Sequence, residues 1–185
     1  MPDRPARVGL HRFAVAVALS TVCLIVAGGL VTSTESGLSV PDWPTTYGQN
    51  PFTFPVSQWV GGIRFEHTHR LIASAVGALT IVLAVWLARR EPRAWVRRLG
   101  YIAVATVVAQ GVLGGLTVLF LLPTAISVAH ACLAQTFFCL TVTLAVMTSP
   151  RWRDGVAGEA SAVGRAAAVT AALIFLQLVV GAVMR

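Results

Sequence analysis

The feature that most constrains this chain is a set of apolar runs long enough to cross a bilayer. Five occur, at residues 13–32, 71–87, 99–121, 125–147 and 166–184. A spanning helix needs roughly 17–25 such residues. In hydrocarbon every backbone N–H and C=O must be paired within the segment or around a closed barrel. The alternating pattern of barrel strands is absent, so the runs are expected to be helices. With 56% apolar and only 11% charged residues, the chain has too little polar surface for a soluble domain. The expected class is all-α: a polytopic membrane protein with a four-helix transmembrane bundle and a fifth transmembrane helix.

The formal charge of +7 is distributed as a topology signal. Every basic residue is arginine, and the arginines cluster in alternate connections. Arg4, Arg7 and Arg12 precede the first run; Arg89, Arg90, Arg93, Arg97 and Arg98 separate the second from the third. Arg151, Arg153 and Arg165 separate the fourth from the fifth, whereas the other connections hold only Arg64 and Arg70. The positive-inside rule then puts the N-terminus in the cytoplasm of a bacterial cell and the loop 33–65 outside. This pattern argues against nucleic acid as a partner and for membrane lipid. The first run is longer than a signal-peptide core and no Ala-x-Ala site follows it, so a retained helix is expected.

Cys23, Cys132 and Cys139 lie within the runs and read as small packing residues. The outer loop has no cysteine and hence no disulfide. Its Trp43, Tyr47, Phe52, Phe54 and Trp59 suit the headgroup layer. Pro92 should stop the second helix. The turn at 122–124 is so short that the third and fourth helices must be antiparallel neighbours. Residues 149–165 read as a cytoplasmic loop. Residues 26–32 resemble residues 179–185, an internal repeat that the chain does not complete, which suggests a piece of a longer protein.

Ionisable residues inside spans are expensive and are functional candidates by default. They fall in two places: Arg64-Phe65-Glu66-His67-Thr68-His69-Arg70 and His130. His67 and His69, two apart, point about 200° from each other on a helix and cannot share a face, whereas Glu66 and His69 can. Ala73 and Gly77 continue the His69 face, and Ala134 continues that of His130, leaving room for a flat ligand. Both histidines are expected within about 5–8 Å of the outer ends of their helices, at 1.5 Å per residue. Two histidines at one depth on different helices can ligate iron from both faces of a porphyrin. Another metal, or purely structural histidines, remain open on spacing alone. A zinc ion would want three or four ligands. Glu66 reads either as a helix-start carboxylate paired with Arg70 or as a proton acceptor beside a ligand. His11, among the first arginines, reads as a solvated interfacial residue.

Taken in order, these residues resemble the haem A synthase family. Gly29-Leu30-Val31-Thr32-Ser33-Thr34-Glu35-Ser36-Gly37-Leu38 followed by Pro41-Asp42-Trp43-Pro44 is similar to that family's first outer loop. Glu66-His67-Thr68-His69-Arg70 resembles its Glu-x-x-His-Arg motif, and residues 110–118 with the His130 segment resemble its third and fourth helices. The resemblance implies an eight-helix protein of two pseudo-symmetric halves that oxidises the C8 methyl of haem O to the formyl of haem A for terminal oxidases. It implies that His69 and His130 are axial ligands of the substrate haem and that Glu66 is the catalytic carboxylate; Arg70 and Arg64 are, apart from the resemblance, the cations at hand for the propionates. Residues 1–148 would be the N-terminal bundle and residues 166–185 the first helix of a second repeat. A b-type haem would belong to the absent remainder, and the chain alone would be impaired. A haem O synthase, oxidase assembly factors and a second copy of the chain are the implied partners. The family's frequent cysteine pair, near Val40 and Thr46, is missing. The competing expectations are a bis-histidine membrane cytochrome b and a cofactor-free structural bundle.

Overall fold

A computed structural model describes residues 4–153 and 161–184. Among the described residues six α-helices follow one another: α1 (Arg4–Ser33), α2 (Ile63–Arg90), α3 (Ala94–Leu119), α4 (Thr124–Thr148), the short α5 (Pro150–Arg153) and α6 (Ser161–Val183). A single 3-10 turn, Val56–Gln58, interrupts the long loop between α1 and α2. Among the described residues, α1 to α4 are each long and apolar enough to cross a membrane, and α6 contributes the shorter apolar stretch Ala166–Gly181. The chain is a multi-pass membrane protein. The segment expected to be a loop at 149–165 contains the short helix α5; its residues 154–160 lie outside the described residues, as do Arg4, Arg7, Arg151, Arg153 and Arg165 for their side chains.

Helix α1 packs on α2 and α4, and α3 packs on the same two, so the four form a closed ring with α2 and α4 on one diagonal. Helix α6 lies outside this ring, against α4. Each helix of the ring turns one stripe inward at steps of three and four residues, the spacing that brings side chains onto one face. Leu10, Ala14, Val17 and Thr21 form the buried stripe of α1; Val76, Thr80, Leu83 and Leu87 that of α2. Val96, Gly100 and Ala103 do so on α3, and Phe137, Thr141, Leu144 and Thr148 on α4. The buried threonines do not leave orphan hydroxyls. Thr21 donates to the Val17 carbonyl at 2.9 Å, Thr80 to Val76 at 2.7 Å and Thr148 to Leu144 at 2.8 Å, each within its own helix. The opposite faces carry Leu19, Val26, Ile81, Val82, Ile102 and Val108, all exposed. Apolar groups turned outward in this number suit lipid rather than water.

The helix ends opposite the α1–α2 loop are tied by polar contacts. Arg93 donates from Nε to buried Glu91 at 2.7 Å and from Nη2 to the Met147 carbonyl at 2.6 Å, joining the α2–α3 turn to the end of α4. His11, expected in solvent, is instead half-buried with Nδ1 3.0 Å from the Ala145 carbonyl of α4. The end of a helix leaves carbonyls unpaired, and a nearby side-chain donor satisfies one.

Candidate functional site

The inward stripes change composition toward the outer end. In the inner half they carry Leu, Val and Phe; farther out they carry Gly28 on α1, His69 on α2, Gln110 and Gly114 on α3, and His130 on α4. His69 and His130 each stand six positions after the start of their helices at Ile63 and Thr124, which puts both about 9 Å inward at 1.5 Å per residue. The two stand on diagonal helices at equal counts from their helix starts, slightly deeper than the roughly 5–8 Å expected from the sequence.

Each ring rests on a glycine of the neighbouring odd-numbered helix. A methyl placed on Gly28 would lie 3.1 Å from Cε1 of His69, and one on Gly114 would lie 3.2 Å from Cε1 of His130. Among the described residues, Nδ1 of both histidines is buried without a hydrogen-bond partner, as are Gln110 Oε1, Ser127 Oγ and, under the loop, His67 Nε2. Buried polar atoms are normally paired, so the orphan Nδ1 of each of the two histidines suits a place for a ligand. Two imidazoles on opposite sides, with small residues beside them, fit the donor set of a six-coordinate haem iron. A bare ion would find fewer donors: among the described residues no group of three or more His, Cys, Asp or Glu is placed to hold one.

The other histidine of the His-x-His pair goes elsewhere. His67 is fully buried under the outer loop, with Nδ1 3.2 Å from Thr46 Oγ1 and its ring against Phe54 and Trp59 at centroid distances of 5.2 and 4.7 Å. The opposite directions expected of residues two apart hold. Phe54, expected at the headgroups, is only 4% exposed, because it and Trp59 cover this histidine.

Glu66 and Arg70 share a face of α2 and fasten the loop to it. Glu66, 3% exposed, accepts the Val40 N–H at 2.8 Å and the Arg70 guanidinium at 2.5 Å. Arg70 also donates to the carbonyls of Val40 at 2.8 Å, Asp42 at 2.6 Å and Thr45 at 3.0 Å. A planar guanidinium with five donors can serve several acceptors at once, which an ammonium cannot do in the same geometry. The loop so held lays Trp43 onto α3: the indole lies so close to Gly115 that a side chain there has no room. Trp43 therefore caps the bundle beside Gly114 and His130. Between α1 and α2, just outside Gly28, a groove of about 230 Å³ is lined by Ala27, Leu30, Arg64, Phe65 and Thr68, with the Arg64 guanidinium over the Phe65 ring at 4.7 Å.

Asp42 organises the turn that carries Trp43. It accepts the N–H groups of Tyr47 and Gly48 at 2.8 Å each, together with the Thr45 hydroxyl. Desolvation pushes its carboxyl up, but the bonds from Gly48, Thr45 and Tyr47 outweigh it and hold the carboxyl below the ordinary 3.8. A group held lower in the folded state contributes stability above its unfolded pKa and loses it as pH falls through the folded value. The turn 42–48 is therefore expected to loosen only below about pH 4, read as loss of near-ultraviolet dichroism from Trp43. An Asp42→Asn variant should show no such acid step; an unchanged step would assign it to another group.

Sequence reasoning missed Gly28, Gly114 and the Trp43–Gly115 contact. The signal was present as Gly28-Gly29-Leu30 in α1 and Gly114-Gly115-Leu116 in α3. The structure gives the two helices matching ends at that spacing. Thr34, Glu35 and Ser36 donate backbone N–H groups to Leu30, Thr32 and Val31, and Phe120, Leu121 and Leu122 donate theirs to Leu116, Val118 and Thr117. Glu35 and Leu121 both take positive φ, 54° and 58°. The repeat apparent in the fold is thus α1 with α3, besides the resemblance of residues 26–32 to 179–185. Among the described residues the three cysteines are free, with Cys23 and Cys139 on the outer surface of the bundle.

A family model for cytochrome oxidase assembly protein matches residues 11–60 and 63–185. The haem A synthase of Shouchella clausii (strain KSM-K16) is 36% identical over 114 residues, covering 60% of this chain and 36% of that protein. That of Halalkalibacterium halodurans is 30% identical over 159 residues, covering 79% of this chain and 49% of the relative. The haem A synthase of Alkalihalophilus pseudofirmus is 28% identical over 151 residues, covering 78% and 48%. The chain thus spans about half the length, or less, of these curated relatives. No solved structure matches it. With the paired histidines, the capped outer end and a family match running through nearly every residue, the chain belongs to the cytochrome oxidase assembly protein family.

Proposed function

We propose that this chain forms the substrate-binding half of a haem A synthase, holding haem O between His69 and His130. The observation that carries the reading is the pair of half-buried imidazoles at one depth on diagonal helices, each with a buried, unpartnered Nδ1. The chemistry is oxidation of the C8 methyl of haem O to a formyl group. Written with water as the oxygen source, a methyl and one water give a formyl, four protons and four electrons, so an electron acceptor belongs to the reaction.

The chain's own residues then divide the work. His69 and His130 orient the ring at a fixed depth. Trp43 and the loop held by Glu66 and Arg70 shield the outer edge from water. Glu66, one helical turn before His69 on the same face, is the carboxylate assigned to take up protons at that edge. Arg70 serves through the loop that it clamps, and Arg64, at the mouth of the α1–α2 groove, is the cation open to a propionate. Residues 1–148 act as the haem-binding unit with the N-terminus in the cytoplasm. The segment 149–165 is a cytoplasmic connection, and α6 opens a second repeat whose remainder would hold a b-type haem. A haem O synthase supplies the substrate, and assembly factors of the oxidase, or a second copy of the chain, are the fitting partners.

The test is the identity of the retained pigment. Purified from cells that also make haem O, the chain is expected to carry haem O or haem A by extraction and chromatography. Protohaem alone would support a membrane cytochrome b, and a colourless protein a structural bundle; either result overturns the proposal. In a preparation that forms haem A, Glu66→Gln should keep the pigment and lower haem A formation by about 10²–10⁴-fold, the usual contribution of a positioned acid–base group.

A further inference from the structure

We infer that Gly28 and Gly114 are positioning residues that fix the rotation of the two imidazoles by direct contact, an inference that rests on the reading of His69 and His130 as an iron-binding pair. A helix supplies a histidine with a depth and a direction, but χ2 of a ring is a soft, broad torsion. Something else must set the plane of the ring. In this bundle it is the neighbouring odd-numbered helix. The nearest atoms to a methyl built on Gly28 are all of the His69 ring, Cε1 at 3.1 Å, Nδ1 at 3.6 Å and Nε2 at 3.7 Å. On Gly114 they are all of the His130 ring, at 3.2, 3.7 and 3.9 Å. The rings thus lie against bare helix backbone.

The same device appears twice at the same relative place, in α1 against α2 and in α3 against α4. Other glycines on these helices are not used this way: a methyl on Gly29 or Gly111 meets no described atom within 4 Å. Glycine in a helix interior is costly relative to alanine. At Gly28 and Gly114 a contact with a ligand-bearing ring explains that cost, since a side chain at 3.1–3.2 Å would push the imidazole aside. Groups that orient a metal-ligating histidine without touching the metal tune the metal through it.

The experiment compares G28A and G114A with G29A and G111A, each in the haem-loaded chain. Imidazole rotation sets the rhombic splitting of low-spin ferric haem, so the readout is the position of the low-field electron paramagnetic resonance line. G28A and G114A are expected to shift that line and to weaken haem retention roughly 10–100-fold, as for other orienting partners. G29A and G111A should match wild type. If all four variants behave alike while wild type holds haem, the inference fails and the histidine pair stands. If wild type holds no haem, the pair itself fails and the inference with it. Should G28A not fold, G28A/H69A decides: the crowding is with the imidazole, so the double variant is expected to fold, and its failure overturns the inference.

Discussion

His69→Ala and His130→Ala are each expected to abolish haem retention, leaving a folded but colourless protein. The two histidines stand on diagonal helices, so in the proposed site either loss leaves the iron with one protein ligand. The effect should exceed the roughly 10–100-fold loss seen when only an outer partner of a ligand is removed. The fold should survive because the dense part of the core lies inward, around Leu10, Val17, Leu83, Leu87, Phe137 and Leu144. Pyridine haemochrome spectra of protein purified in detergent, normalised by mass, give the retained haem. Far-ultraviolet dichroism gives the helix content. A His130→Ala protein as pigmented as wild type would exclude that side chain as a ligand.

Arg70→Ala is expected to release the outer loop and to cost about 3–5 kcal/mol, the range found when one partner of a buried ion pair is removed. Glu66 would be left as a buried carboxylate held by the Val40 N–H, and the carbonyls of Val40, Asp42 and Thr45 would lose their shared donor. Arg70→Lys should restore little, because one ammonium cannot reproduce the planar fork. Hydrogen exchange of residues 39–49 is the direct readout, together with the midpoint of thermal unfolding. Unchanged protection across those residues would mean that His67 with Phe54 and Trp59 holds the loop without the arginine.

The helices were legible because a bilayer leaves backbone so few options: four of the apolar runs correspond to α1–α4, with α6 in the place of the fifth. The histidines were legible because an ionisable group inside a span needs a reason. What the loop does was harder to read. Aromatic residues between spans suit the headgroups equally well as an interior, and only the fold shows Phe54 and Trp59 turned onto His67. Glycine is harder still, since a transmembrane helix uses it for close packing, as at Gly100 beside Leu87, as well as for contact with a ring. Gly28 and Gly114 separate from their neighbours only once distances are known. His11 was misjudged because arginines flank it, while its partner, the Ala145 carbonyl, lies far along the chain.

Whether one iron is held from both sides by His69 and His130 is read from near-infrared magnetic circular dichroism of the ferric, haem-loaded chain. Wild type is expected to show a low-spin band characteristic of two imidazole ligands, absent from both alanine variants. A high-spin spectrum in wild type, or a bis-imidazole band that persists in either variant, would contradict that ligation.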